Sequence, residues 1–248
     1  MAFVFVLVRV GSMLAFLPFL GGRVVPAVVK ALLSLVVSVL LFPFVQNGAV
    51  VPPLDDPLAV LLTAGAEVTF GALMGFCALV IFQAVRQAGE MIGRQMGMAM
   101  ARAADPVSGV QATVVGNFCD ALAVLVLFAL GGHRWFMAGI YQSFEHWPMG
   151  QFVAPEFIKN ITVWSAVRGF ALAFQLAAPL LVLMFMIALL MAIMARLVPE
   201  INILIVGFPL RIGIGLAGLA LLVPLLVRHA GKVCEVMIQF FTTQPTAT

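Results

Sequence analysis

The sequence predicts an all-α, membrane-associated protein of many helices, and three observations carry that prediction. The 248-residue chain is 64% hydrophobic and only 9% charged, with a mean hydropathy of +1.18; soluble domains carry about a quarter charged residues. Its apolar residues gather into successive runs of about 20, the length that crosses a bilayer as a helix. Glycine, proline and the few charges punctuate those runs, so the chain counts in helical spans rather than in soluble domains. The N-terminus reads as a span and not as a cleavable signal. No basic segment precedes it, Arg9 stands inside the apolar run, and no small-x-small cleavage site follows.

In order, Met1 to Leu20 is the first apolar span, closed by Gly21-Gly22-Arg23. Proline fits the first turn of a helix, so a second span runs from Pro26 to Val45. Gln46 to Pro57 is a proline-rich loop with the acidic pair Asp55-Asp56. A third span runs from Leu58 to about Ala84, with Gly71 and Gly75 spaced for close helix approach. A polar stretch follows over Ala84 to Gln111, and a fourth span covers roughly Ala112 to Leu130. Gly131 to Asn160 is the longest mixed-polarity segment, with His133, Arg134, His146, Pro148 and Pro155. In it Trp135, Tyr141 and Trp147 suit a membrane interface, having an apolar body and a polar tip. A fifth run, Ile161 to Leu197, would reach about 50 Å if continuous, beyond a hydrocarbon core of about 30 Å; Pro179 is placed to kink it. A turn at Pro199-Glu200 leads to a sixth span from Ile203 to about Arg228, interrupted by Pro209 and Pro224. An amphipathic tail follows from Gly231.

The polar stretch, AVRQAGEMIGRQMGMAMARAADPVSGVQ, organises the rest. On helical spacing Arg86, Glu90 and Arg94 stack at i, i+4 and form candidate ion pairs. Gly89, Gly93 and Gly97 make a second stripe where a neighbouring helix can approach. Met91, Met96, Met98 and Met100 flank it with pliant surface, suited either to core packing or to sealing an irregular opening. Asp105-Pro106 and Ser108-Gly109 then end the helix.

Other patterns exclude more than they assign. A net charge of +3 is too small and dispersed for a nucleic-acid surface. Cys77, Cys119 and Cys234 are far apart without metal or redox spacing, and read as buried reduced thiols. Gly213, Gly215 and Gly218 spell G-x-G-x-x-G inside an apolar helical run, where the motif reads as helix packing and not as a dinucleotide fingerprint. His133 and His146 show neither a metal spacing nor a nucleophile partner. Neither catalysis, a cofactor nor a metal is expected. Arg9, Glu67, Asp120 and Arg168 stand within or beside apolar spans, where charge is costly. They read either as pairs within or between subunits or as an ion path; a small secondary transporter using Glu67 and Asp120 is the alternative function.

Arg9, Pro18, Pro26 and Lys30, then Ala88-Gly89-Glu90, Gly93, Gln95-Met96-Gly97 and Asp105-Pro106, resemble the FliR/SctT export-gate family of flagellar and injectisome type III secretion. So do Gly132-His133, Ser143-Phe144 and Pro148, then Arg196, Pro199, Asn202 and Gly207-Phe208-Pro209-Leu210. The order and spacing of these residues cover nearly the whole chain, and the flagellar branch is the nearer. The resemblance implies a broken-hairpin export-gate subunit, FliP-like over residues 1–160 and FliQ-like over the 161–248 hairpin and tail. It implies assembly with FliP-like and FliQ-like subunits and a FlhB-like subunit, in the bacterial inner membrane at the flagellar basal body, extending towards the periplasm. In such a gate a loop at about 102–111 plugs the lumen through which unfolded exported proteins pass. By position Arg102, Ala103, Ala104, Asp105, Pro106, Val107, Ser108, Gly109 and Val110 carry that role. Met96, Met98 and Met100 are candidates for a seal around it. Arg94 and Arg102 add positive charge near that lumen, facing either inwards or towards neighbouring subunits. The turn at Arg196, Pro199, Glu200 and Asn202 would face the cytoplasm, as the alternation of basic loops also predicts, with both termini outside.

Overall fold

The computed structural model describes residues 2–17, 25–45, 56–98, 114–150, 154–198 and 203–242, with side chains of the last helix described over 205–228. Seven helices account for them: α1 (Ala2–Phe16), α2 (Ala27–Val45), α3 (Pro57–Gln95), α4 (Val114–Ala129), α5 (Gly132–His146), α6 (Pro155–Leu197) and α7 (Ile203–Thr242). No strand occurs among the described residues. Helices α2, α3, α6 and the 205–228 part of α7 are long and apolar enough to cross a membrane. The pair α4–α5, bent by 73°, makes a fifth span if counted as one.

Helix starts follow local chemistry. The Pro26 carbonyl accepts the first bonds of α2, from Val29 and Lys30. At α3, Asp56 Oδ1 accepts the backbone N–H of Leu58 at 3.0 Å and Ala59 at 3.2 Å. With Pro57 as first residue this is an N-cap followed by proline: Asp56 satisfies donors that lack intrahelical partners, and Pro57 removes one by having no N–H. Pro155 opens α6 similarly, with the Ala154 carbonyl accepting from Phe157 and Ile158.

Several boundaries differ from the sequence expectation. The third span and the first half of the polar stretch are one helix of 39 residues. Arg86, Gln87 and Glu90 are good helix formers, and polarity alone does not stop a helix. The helix ends earlier than Asp105-Pro106 predicts, because Gly97 takes φ +86°. Part of the mixed segment 131–160 is helical: Gly131, at φ 71°, turns the chain from α4 into α5. Pro179 leaves α6 continuous over 43 residues, and Pro209 and Pro224 lie inside α7, which runs on to Thr242. Within apolar helices neighbouring groups re-satisfy what proline frees.

The chain divides into two compact units, Met1–Ile81 with Gly131–Val167 and Lys232–Thr248, and Phe82–Leu130 with Arg168–Gly231. In the first, α1 packs on α2 and α2 touches α5, around a core that includes Phe5, Val6, Val10, Phe70, Met74, Ile140 and Ile161. Gly71 and Gly75 let α3 meet the α1 backbone: a Cβ at Gly71 would fall 2.3 Å from the Arg9 carbonyl oxygen, and one at Gly75 2.5 Å from that of Met13. The second unit contains the end of α3, α4, most of α6 and the 203–231 part of α7. Two glycines of its G-x-G-x-x-G pack as the sequence predicts, Gly215 on Met96 and Gly218 on Leu180, whereas Gly213 faces open space.

Candidate functional site

In the second unit the last turns of α3 bury Ala84, Val85, Ala88 and Ile92. Gly89 and Gly93 are buried on the same face. A Cβ at Gly89 would meet Cys119 Sγ at 2.7 Å and the Val115 carbonyl oxygen at 3.0 Å, so α4 lies directly on it. Gly97 lies past the last residue of α3, where a Cβ would come 3.2 Å from the Phe208 ring of α7. Its N–H bonds the Arg94 carbonyl at 3.1 Å and its left-handed backbone terminates the helix, a conformation glycine adopts without steric cost.

Glu90 reaches α4. Its carboxylate rests on Gly116, where a Cβ would be 2.5 Å from Oε1. Arg86 is half-buried, and Arg94 is exposed.

Met96 is fully buried, its side chain against Gly215. Of the two roles open to it in the sequence, the structure places it in the core. Met98 lines an apolar cavity of about 360 Å³ with Val114, Val115, Phe118, Leu216 and Leu219. The two described residues nearest the predicted plug, Met98 and Val114, thus share one cavity. Met100 and the whole of Arg102 to Val110 lie outside the described residues, as do Pro199, Glu200 and Asn202. Arg196 is exposed in the last turn of α6.

The intramembrane charges resolve differently from one another. Arg9 and Glu67, 58 residues apart, form a buried ion pair in the first unit, with side chains 3% and 1% exposed. Arg9 Nε donates to Glu67 Oε2, and its Nη1 donates to the carbonyls of Ser143 at 3.3 Å and Trp147 at 3.1 Å. The Gly150 N–H donates to Glu67 Oε1 at 3.1 Å. The guanidinium lies over the rings of Phe144, at 4.1 Å, and Phe70, at 4.8 Å, where the π faces attract a cation. Trp147 belongs to this cluster. Its ring centroid is 5.0 Å from Phe157 and 5.7 Å from Phe70, and its buried Nε1 has no hydrogen-bond partner. Both carboxylate oxygens of Glu67 are engaged, so the arrangement fixes charge and ties α1, α3 and the end of α5 together. Asp120 is half-buried and Arg168 exposed, both in the second unit.

Cys77 and Cys119 are buried free thiols. No cluster of three or more metal-ligating side chains occurs among the described residues. Long apolar helices, glycine-mediated approach and a buried ion pair define a polytopic helical membrane protein.

A family model described as bacterial export proteins, family 1, matches residues 1–237. The flagellar biosynthetic protein FliR of Bacillus subtilis (strain 168) is 30% identical over 217 residues, covering 86% of this chain and 82% of that protein. The FliR of Escherichia coli (strain K12) is 30% identical over 224 residues, 89% and 83% of the two chains. The Yop proteins translocation protein T of Yersinia pestis is 26% identical over 181 residues, 71% and 69%. The chain belongs to family 1 of the bacterial export proteins, the family of FliR.

Proposed function

We propose that this chain is a non-enzymatic structural and gating subunit of the flagellar type III export gate. It assembles with FliP-like and FliQ-like helical subunits and a FlhB-like subunit into a conduit for unfolded exported proteins. In this reading residues 1–160 form the FliP-like part and 161–248 the FliQ-like hairpin, with the turn at 196–202 facing the cytoplasm. The site is the bacterial inner membrane at the flagellar basal body, with the assembly rising to its periplasmic side. The flagellar branch is supported by the identity to FliR of two bacteria.

The observation that carries the reading is the length of α6. Exposed apolar side chains run along it from Val163 to Leu197, about 50 Å at 1.5 Å per residue. To fit that stretch into a hydrocarbon core of about 30 Å the helix would need a tilt above about 50°, beyond the roughly 0–40° that membrane helices adopt. The surplus needs cover from other protein chains, as in a hetero-oligomer.

Closure is assigned to Arg102 to Val110, a short small-residue stretch between α3 and α4. Opening requires two packings differing by only a few kcal/mol, with substrate favouring the open one. Deleting Ala104 to Gly109 should raise small-ion conductance through the assembled complex in membranes. A leak equal to that of the intact chain removes the plug assignment.

A further inference from the structure

We infer that Arg9 and Glu67 are positioning residues that strap the turn Trp147–Gly150 onto α1 and α3, and that this turn opens as a separate unit while the ion pair stays made. The strap is independent of the gate reading.

The turn is gripped by its backbone with both polarities. Arg9 Nη1 donates to the carbonyl of Ser143, in the last turn of α5, and to that of Trp147, the residue capping the helix. The last carbonyls of a helix lack intrahelical donors, and a cation there is favourable. From α3, Glu67 Oε1 accepts the Gly150 N–H at 3.1 Å. The turn's own sequence offers little to close it: Pro148 has no N–H, and Gly150 stands at φ +86°, where glycine is unstrained but freely replaced by other conformations. The hold also passes to α6, because the Trp147 ring lies 5.0 Å from that of Phe157 in its first turn. Helices α1 and α3 do not need the turn to stay together. Gly71 and Gly75 set them backbone to backbone, and Arg9 Nε bonds Glu67 Oε2 without any atom of the turn. Lifting the turn therefore breaks the bonds at Trp147 and Gly150 and leaves the ion pair made, which spares the large cost of separating buried charges. It also releases Trp147 Nε1, buried and without a hydrogen-bond partner among the described residues.

Met149, 2% exposed within the turn, is the place for a reporter. The full chain, in membranes with its co-expressed partners, carries Met149→Cys with Cys77→Ala, Cys119→Ala and Cys234→Ala. A parallel chain keeps Met149 and has Cys77 as its one thiol. Alkylation by N-ethylmaleimide is timed in both without denaturant, each rate being divided by that of the unfolded chain. In the uncharged pairs Arg9→Met with Glu67→Leu and Arg9→Met with Glu67→Gln, position 149 should react faster than Cys77, because α1 and α3 remain closed when the turn lifts. Glutamine keeps an acceptor for the Gly150 N–H and should slow position 149 about fivefold relative to leucine, the scale of one hydrogen bond. Arg9→Lys keeps the charge but not the guanidinium fork, so position 149 should react faster than in the parent without a lone carboxylate being left in the core. Equal rates at position 149 and Cys77 in every variant, glutamine no more protective than leucine, or lysine as protective as arginine, each overturns the strap.

Discussion

Replacing one member of the Arg9–Glu67 pair should be far worse than replacing both. Arg9→Met leaves a carboxylate 1% exposed with no counter-charge, and Glu67→Leu leaves a guanidinium 3% exposed. Breaking a buried pair in this way costs about 3–5 kcal/mol, whereas exchanging both ions for apolar groups is often neutral or better. Here the double variant also strips partners from the Ser143 and Trp147 carbonyls and from the Gly150 N–H. At about 1 kcal/mol for each bond lost, these three place the double variant about 2–3 kcal/mol below the parent. The single changes, if additive, would sum to about 6–10 kcal/mol, so the expected coupling is several kcal/mol. Cys77, 1% exposed in the same core, gives the assay: its alkylation is followed across a denaturing-detergent titration of the purified chain for the parent, both single variants and the double. Additive losses, or single changes costing under about 1 kcal/mol, would refute the account of a pair whose members are buried only because each neutralises the other.

Two further outcomes follow from glycine contacts, each with an internal control, the first pair read by the Cys77 titration and the second by the same titration of Cys119, which lies in the second unit. Gly71→Ala should cost about 1–3 kcal/mol by overpacking, since its Cβ would fall 2.3 Å from the Arg9 carbonyl, whereas Gly65→Ala, with nothing within 4 Å, should gain up to about 1 kcal/mol in helix propensity. Gly97→Ala should cost about 1–2 kcal/mol for an L-residue at φ +86°, with the Phe208 ring 3.2 Å from the new Cβ, while Gly213→Ala, in open space, should not destabilise.

Composition made the helical membrane class legible, and the Pro26 start and the packing role of Gly71, Gly75, Gly215 and Gly218 were legible from spacing. The partnership of Arg9 with Glu67 was not, although both charges stood out, because 58 residues separate them and sequence spacing measures only neighbours on one helix. A signal was nevertheless present. Glu67, Gly71 and Gly75 recur every four residues, so the face of α3 that approaches another backbone also carries the carboxylate. The reach of α3 to Gln95 and the continuity of α7 through Pro209 and Pro224 were misread for one reason: polar residues and proline were weighed as breaks. In helices packed on neighbours both are tolerated.

These misreadings share a physical origin that also explains what holds the molecule together. For surfaces facing lipid, burying leucine against leucine brings little gain over leaving it in acyl chains, so specificity passes to close backbone approach and to polar groups. In the first unit Gly71 and Gly75 bring α3 onto the α1 backbone, and on the same face Glu67 meets Arg9. In the second, Gly89 and Gly116 bring α3 and α4 together, and the Glu90 carboxylate lies against Gly116. The same device appears twice along one helix: a glycine contact setting the distance and an adjacent carboxylate setting the register. The exposed leucines, valines and phenylalanines of α6 lack that device over most of their length. Their partners must therefore bring their own small residues and polar groups to an otherwise uniform apolar face. Glycine scanning of a co-purifying helical partner, read as loss of the complex, is the search this asymmetry directs.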